Sequence, residues 1–282
     1  MKYASVCSGI EAPTVAWEPL GWEAQWYSEI ESFPSAVLNH HYPQVPNLGD
    51  MTKIHERREF NDSNIDVLIG GTPCQSFSVA GLRKGLADPR GNLALVFLSL
   101  VDRARPSWVV WENVPGVLSS SGGRDFGAFL GGLAELGYGF AYRVLDAQFF
   151  GVPQRRRRVF VVGYLGDWRP ATAVLFERHS LSRDVNPPSR NEDFVPVCVT
   201  ARGAQSNDDR ETYLIEIDGR PRRLTPIEKE RQFGFPDNYT NIHWRGKPHS
   251  PDGLRYKALG NSMAVPVIKW IGEKIDMVRM IL

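Results

Sequence analysis

The chain has 282 residues, of which 42% are hydrophobic and 23% charged, and its formal net charge is +1. That length fits one large domain, or one domain with a small appendage, and the composition is that of a globular protein with a core, while the near-neutral balance carries no chain-wide signature of a nucleic-acid partner. Three cysteines, Cys7, Cys74 and Cys198, are too few and too scattered for a disulfide framework or a Cys-rich zinc site; no apolar run of about 18 residues and no leader pattern is present, so a cytoplasmic protein without a membrane anchor is expected.

In chain order, short apolar runs alternate with amphipathic stretches. Strands are expected over 3–7, 24–28, 66–70, 108–112, 142–145 and 159–164, and helices over 10–20, 33–40, 93–104 and 126–136. Such alternation predicts βα units around a mainly parallel sheet, with ligands gathering at the carboxyl ends of the strands. The first turn holds Ser8-Gly9, with one glycine instead of the full fingerprint of a dinucleotide site. Glu29 follows the second strand about 20 residues on, a suitable place for a carboxylate that binds ribose hydroxyls.

The third strand runs into Gly70-Gly71-Thr72-Pro73-Cys74. A cysteine on a stiff Gly/Pro loop at a strand end suits nucleophilic attack; the same residue is equally consistent with a small buried hydrophobe. Glu112 ends the apolar run Trp108–Trp111. A carboxyl there is expected to have a raised pKa from desolvation and to be able to hydrogen-bond a ring nitrogen; taken alone, it could equally be a strand-end acid facing water. In Gln154-Arg155-Arg156-Arg157-Arg158, strand alternation puts Gln154, Arg156 and Arg158 on one face and Arg155 and Arg157 on the other. A bare arginine run is often a solvated or phosphate-binding patch, but this one leads directly into an apolar strand.

After Gly166 the texture changes to a polar, irregular stretch, with strand-like pieces only over 195–200 and 213–217. Three regions are therefore expected: a catalytic and cofactor-binding domain over 1–166, a recognition region over 167–221, and a supporting segment over 222–282. Thr225-Pro226-Ile227-Glu228 spells a helical capping box, and the tail over 262–282 is apolar at helical spacing.

In order, these segments resemble the DNA (cytosine-5) methyltransferase family. Ser8-Gly9 is similar to its cofactor loop, Glu29 to its ribose-binding acid, and Asp50 in Gly49-Asp50-Met51-Thr52 to the residue that meets the adenine amino group. Pro73-Cys74-Gln75, Glu112-Asn113-Val114 and Gln154-x-Arg156-x-Arg158 match its catalytic motifs. Asp88–Leu93, 223–236 and Gly260-Asn261-Ser262 resemble its remaining segments. The resemblance implies a Rossmann-like α/β methyltransferase fold with a small irregular target-recognition domain, S-adenosylmethionine as cofactor, and double-stranded DNA as substrate, the target base being flipped out. It implies a monomer, and a possible accompanying restriction endonuclease.

It further implies Cys74 as nucleophile with Glu112, Arg156 and Arg158 as its catalytic partners. Ser8, Gly9, Ile10, Glu29, Ile30, Asp50, Met51, Pro73, Leu93, Asn261 and Ser262 would contact the cofactor. Gln75, Ser76, Arg83, Arg202, Gln205, Asn207 and Arg210 would contact DNA. Two positions depart from the family pattern: Cys7 and Glu11 stand where the first motif usually has phenylalanine and a second glycine. The competing readings are an RNA cytosine-5 methyltransferase, a non-catalytic DNA-binding relative, which would have no need of Cys74, and a dehydrogenase, which lacks its glycine fingerprint here.

Overall fold

In a computed structural model of the chain, which describes residues 1–73, 93–176, 213–215 and 221–282, the apolar runs pair into one sheet of six strands. These are β1 (Lys2–Val6), β2 (Glu23–Trp26), β3 (Val67–Gly70), β4 (Trp108–Asn113), β5 (Tyr138–Asp146) and β6 (Arg157–Leu165), in spatial order β2-β1-β3-β4-β6-β5. The first four are parallel, as βα units require. β6 runs antiparallel to both β4 and β5. The sheet is thus mainly parallel, as expected, and its one reversed strand has a direct consequence for function. The amino end of β6 lies at the same edge as the carboxyl ends of the other strands, so the arginine run that precedes it enters the ligand edge.

Helices α1 (Ala12–Trp17), α2 (Ser32–His41), α3 (Arg58–Asn61), α4 (Leu93–Ala104), α5 (Arg124–Glu135), α6 (Arg169–Leu175), α7 (Pro226–Phe233), α8 (Asp252–Asn261) and α9 (Val265–Arg279) complete the described elements. Side chains alternate along each strand between two cores. Tyr3, Val67, Ile69, Trp108 and Val110 pack with residues of α1, α6 and α9. Ala4, Val6, Leu68, Val109 and Trp111 pack with α4 and α5. β3 and β4 are buried along their whole length, which explains why they read as continuous apolar runs.

Several boundaries shift for local reasons. Helix α1 starts at Ala12, not residue 10, because Glu11 is left-handed, with φ 63 and ψ 60, a conformation that cannot continue a helix. β5 begins at Tyr138, four residues before its expected start. Its Gly139 has no side chain to advertise a strand, and an added Cβ would strike the backbone of Trp168. The expected tail helix is α9, and a further helix, α8, precedes it and ends before Ser262; Gly253 and Gly260 weaken the helical signal of α8.

The break expected at Gly166 falls inside the packed body. Ala171, Val174 and Leu175 of α6 are fully buried in the first core. The expected strand over 195–200 lies outside the described residues. Tyr213–Ile215 pairs antiparallel with Pro221–Arg223. The capping box forms as read: Glu228 N donates to Thr225 Oγ1 and Thr225 N to Glu228 Oε2. Among the described residues, no helix is long and apolar enough to cross a membrane.

The end of β3 is built on close approach and not on unusual backbone angles. A Cβ on Gly70 would sit 2.6 Å from Val6 Cγ2 and 3.0 Å from Phe97 Cε2. Gly70→Ala is therefore expected to lower stability by about 1–3 kcal/mol through overpacking, measurable as a reduced urea midpoint at unchanged slope.

Candidate active site

The carboxyl edge of the sheet opens into a cleft of about 450 Å³. Eleven of the residues singled out by sequence line it: Gly9, Glu29, Ile30, Asp50, Met51, Pro73, Leu93, Glu112, Arg156, Arg158 and Asn261. Ser8 and Ser262 border a smaller adjoining cavity. Ile10 is fully buried in the core and lines neither. Cys74, Gln75, Ser76, Arg83, Arg202, Gln205, Asn207 and Arg210 lie outside the described residues.

At one end, the loops after β1 and β2 are laced together. Ser8 N donates to Ser28 O, Ser28 N returns a bond to Ser8 Oγ, and Ser28 Oγ donates to Gly49 O. Glu29 accepts from Gly9 N at 2.8 Å through one oxygen and from Glu31 N at 2.7 Å through the other. A carboxylate offers about four lone-pair sites, so acceptors remain for a pair of hydroxyls in the cleft. Asp50 uses Oδ1 for Thr52 N and Oγ1. The backbone bond from Thr52 comes first among the causes that hold its carboxyl below the usual range. Apolar walls come from Ile30, Phe33, Met51 and Leu93. Acceptors at Glu29 and Asp50 between apolar walls fit a nucleoside-bearing cofactor such as S-adenosylmethionine.

At the other end, Glu112 forms an ion pair with Arg158, Nε to Oε1 at 3.1 Å, with both side chains largely buried. β4 and the reversed β6 are adjacent, and this brings the pair together. Burial pushes the Glu112 carboxyl up, against the opposing pull of Arg158 and Arg156. The alternation expected of the arginine run is present: Gln154 and Arg156 are buried, whereas Arg155 and Arg157 are exposed. Arg156 plays a different part from Arg158. Its guanidinium donates to the carbonyls of Gly260 and Ser262 at 3.1 and 2.8 Å and lies 4.9 Å over the Phe233 ring. It ties the chain around Asn261 to this edge of the sheet.

The approach to Cys74 is pinned from β4. Trp111 Nε1 donates to Thr72 Oγ1, and Asn113 Nδ2 to Thr72 O, both at 2.9 Å. Thr72 and Asn113 stand at strand ends where the sequence places candidate residues, but neither has a catalytic or cofactor role read from sequence. Leu254, Lys257 and Ala258 also line the cleft. Their spacing of 7, 4 and 3 residues before Asn261 was the available signal, hidden because α8 was not expected as a helix. Lys257 Nζ reaches Glu31 at 2.7 Å across the cleft wall.

A family model described as C-5 cytosine-specific DNA methylase matches residues 1–195 and 189–277. The chain is 32% identical to a protein of Escherichia phage P1 named DNA N-6-adenine-methyltransferase, over 97% of this chain and 61% of that one. It is 29% identical to the type II methyltransferase M2.BsuMI of Bacillus subtilis, over 98% of this chain and 75% of that one. The chain thus spans about three-fifths of the phage relative's length. In fold it is similar to a crystal structure of a Spodoptera frugiperda DNMT2 mutant, with TM-score 0.73 and 18% identity over 98% of this chain and 99% of that one.

Because Arg156 ties Gly260 and Ser262 to the edge, Arg156→Gln is expected to weaken cofactor binding as well as stability, the latter by about 2–4 kcal/mol for lost hydrogen bonds to a charged group. Calorimetry with S-adenosylmethionine and thermal melting of the same preparations measure the two effects.

Proposed function

Since the chain belongs to the C-5 cytosine-specific DNA methylase family, we propose that it methylates C5 of cytosine within a specific double-stranded DNA sequence, using S-adenosylmethionine. The observation that carries this reading is the buried Glu112–Arg158 pair beside the pinned Thr72-Pro73 segment, which delivers the chain to Cys74. Glu29, Asp50 and Asn261 would hold the cofactor, which supplies an electrophilic methyl group when bound.

Cytosine C5 belongs to an aromatic ring and is a poor nucleophile. Attack of the Cys74 thiolate on C6 forms a C–S bond and makes C5 enamine-like. Glu112, kept protonatable by burial, holds a proton at N3 and removes the charge that the attack creates, while Arg158 orients the carboxyl. After C5 is methylated, loss of its proton and expulsion of the Cys74 thiolate restore the ring. The target base must leave the duplex for this attack, at a cost of a few kcal/mol. Residues 167–221 would select the sequence, with Arg202, Gln205, Asn207 and Arg210 as base-reading candidates, while Gln75, Ser76 and Arg83 would contact DNA near the target. The protein would act as a monomer, with or without a restriction endonuclease.

The name of the phage P1 relative favours a second reading, methyl transfer to the adenine amino group. Digesting DNA from expressing cells and quantifying modified nucleosides by mass spectrometry separates the two. 5-Methylcytosine supports the proposal; N6-methyladenine alone rejects it. Incubation with transfer RNA tests the RNA reading in the same assay.

Duplex DNA carrying 5-fluorocytosine at the target has no removable C5 proton. The wild type is expected to give a covalent, gel-shifted adduct and Cys74→Ala none. Glu112→Gln is expected to lower turnover on the order of 100-fold or more, with DNA binding little changed, because the interaction strengthens only as charge develops.

A further inference from the structure

Glu11 is the most anomalous residue of the described chain. It stands where the family pattern has glycine, adopts the left-handed conformation that glycine favours, and buries its carboxyl completely. A buried acid is costly unless neutral or paired. No basic side chain is among the groups that shift it, which are Ser5, Thr14 and Glu29; Tyr3 on β1, Tyr27 after β2, Tyr42 after α2 and Tyr239 between α7 and α8 face it and feel its charge in turn. Burial pushes Glu11 up to about 8, so it is protonated at neutral pH. Ser5 Oγ donates to Oε2 at 2.8 Å, and no donor meets Oε1 in full hydrogen-bond geometry, although Thr14 lies close enough to pull the carboxyl pKa down against burial.

A polar line leads from this acid to the active site. Ser5 Oγ and Ser8 Oγ are 2.6 Å apart. Both serines line a cavity of about 30 Å³ whose lining also includes Glu112 and Asn261. That volume suits about one water, and the lining supplies the two to four polar partners a water needs. Gly71, which also lines this cavity, leaves room beside the acid, since an added Cβ would meet Glu112 Oε2 and Met263 Cε at 3.2 Å.

Resting on the cytosine-methylation reading above, we propose that Glu11 is the proton reservoir of Glu112, connected to it through Ser5, Ser8 and one water in the intervening cavity. Glu11 gives its proton to Ser5 Oγ. Ser5 passes its own to Ser8, Ser8 to the water, and the water to the Glu112 carboxylate. Each relay oxygen gains one proton and loses one, so only the two carboxyls change state. Glu112 then has a proton to place at N3, and when the ring is restored that proton returns along the same line. Glu11 touches neither base nor cofactor; it positions a proton.

The test measures turnover against pH for the wild type, Glu11→Gln and Ser5→Ala, with DNA and S-adenosylmethionine, beside thermal melting. In the wild type, turnover is expected to fall as pH rises through about 8, where Glu11 loses its proton. Both variants are expected to lose on the order of 10-fold or more in turnover, the scale of a lost proton-transfer contribution, to keep KM for DNA within about twofold, and to lack the alkaline fall. Turnover within about twofold of wild type, or a lower turnover that keeps the alkaline fall, would overturn the proposal and leave Glu11 a structural residue. Should Glu11→Gln not fold, Ser5→Ala decides alone, because it cuts the line and leaves the acid in place. A wild type that makes no 5-methylcytosine refutes the underlying function instead, a separate result.

Discussion

The reversed direction of β6 is the constraint on which the catalytic edge depends. A parallel strand between β4 and β5 would present its carboxyl end there and carry its lead-in to the opposite side of the sheet. Reversed, β6 brings the Gln154–Arg158 run to the edge where β1, β3 and β4 terminate. Two neighbouring arginines of one face then divide the work. Arg158 meets Glu112 in the sheet, and Arg156, two residues earlier, reaches past the sheet to carbonyls of the chain around Asn261. One strand reversal thus holds the acid and the Asn261 wall of the cleft in a single frame.

A second buried cluster supports that wall from behind. Glu230 of α7, with no solvent exposure, accepts from Asn238 N, Thr240 N and Arg255 Nη2. With one partner removed, the other charge would remain buried and unpaired, a costly state. The cluster fixes α8 against α7, and α8 carries Leu254, Lys257, Ala258 and Asn261 into the cleft. Remote polar burial and site geometry are therefore linked through one helix.

Most of the edge was legible because its chemistry is local. Glu112 ends an apolar run, Glu29 follows a strand at the ribose-binding distance, and the arginine alternation follows from strand periodicity. Strand direction is not local. Nothing in residues 157–165 says which way they run, because direction is settled by pairing with β4 and β5. Helix α8 was hidden by its two glycines, and with it the cleft role of Lys257. Glu11 was visible as a departure from the family pattern, but its meaning lay in groups distant in sequence: Tyr27, Tyr42 and Tyr239 surround it only after folding. The break in texture at Gly166 marks a change in composition and not in packing, since α6 still seals the core with Val174 and Leu175.

The last described helix closes on the first. Trp17 Nε1 donates to Ile268 O, Trp22 Nε1 donates to Asp276 Oδ2, and the bare face of Gly272 receives the Trp17 ring. These contacts join residues about 250 positions apart. During synthesis, the N-terminal βα units leave the ribosome long before their partner exists, and contacts of such separation form late. Helix α1 must wait with Trp17 uncovered until α9 emerges. A nascent chain would hold Glu29 and Glu112 well before the contacts of α9 with Trp17 and Trp22 can form.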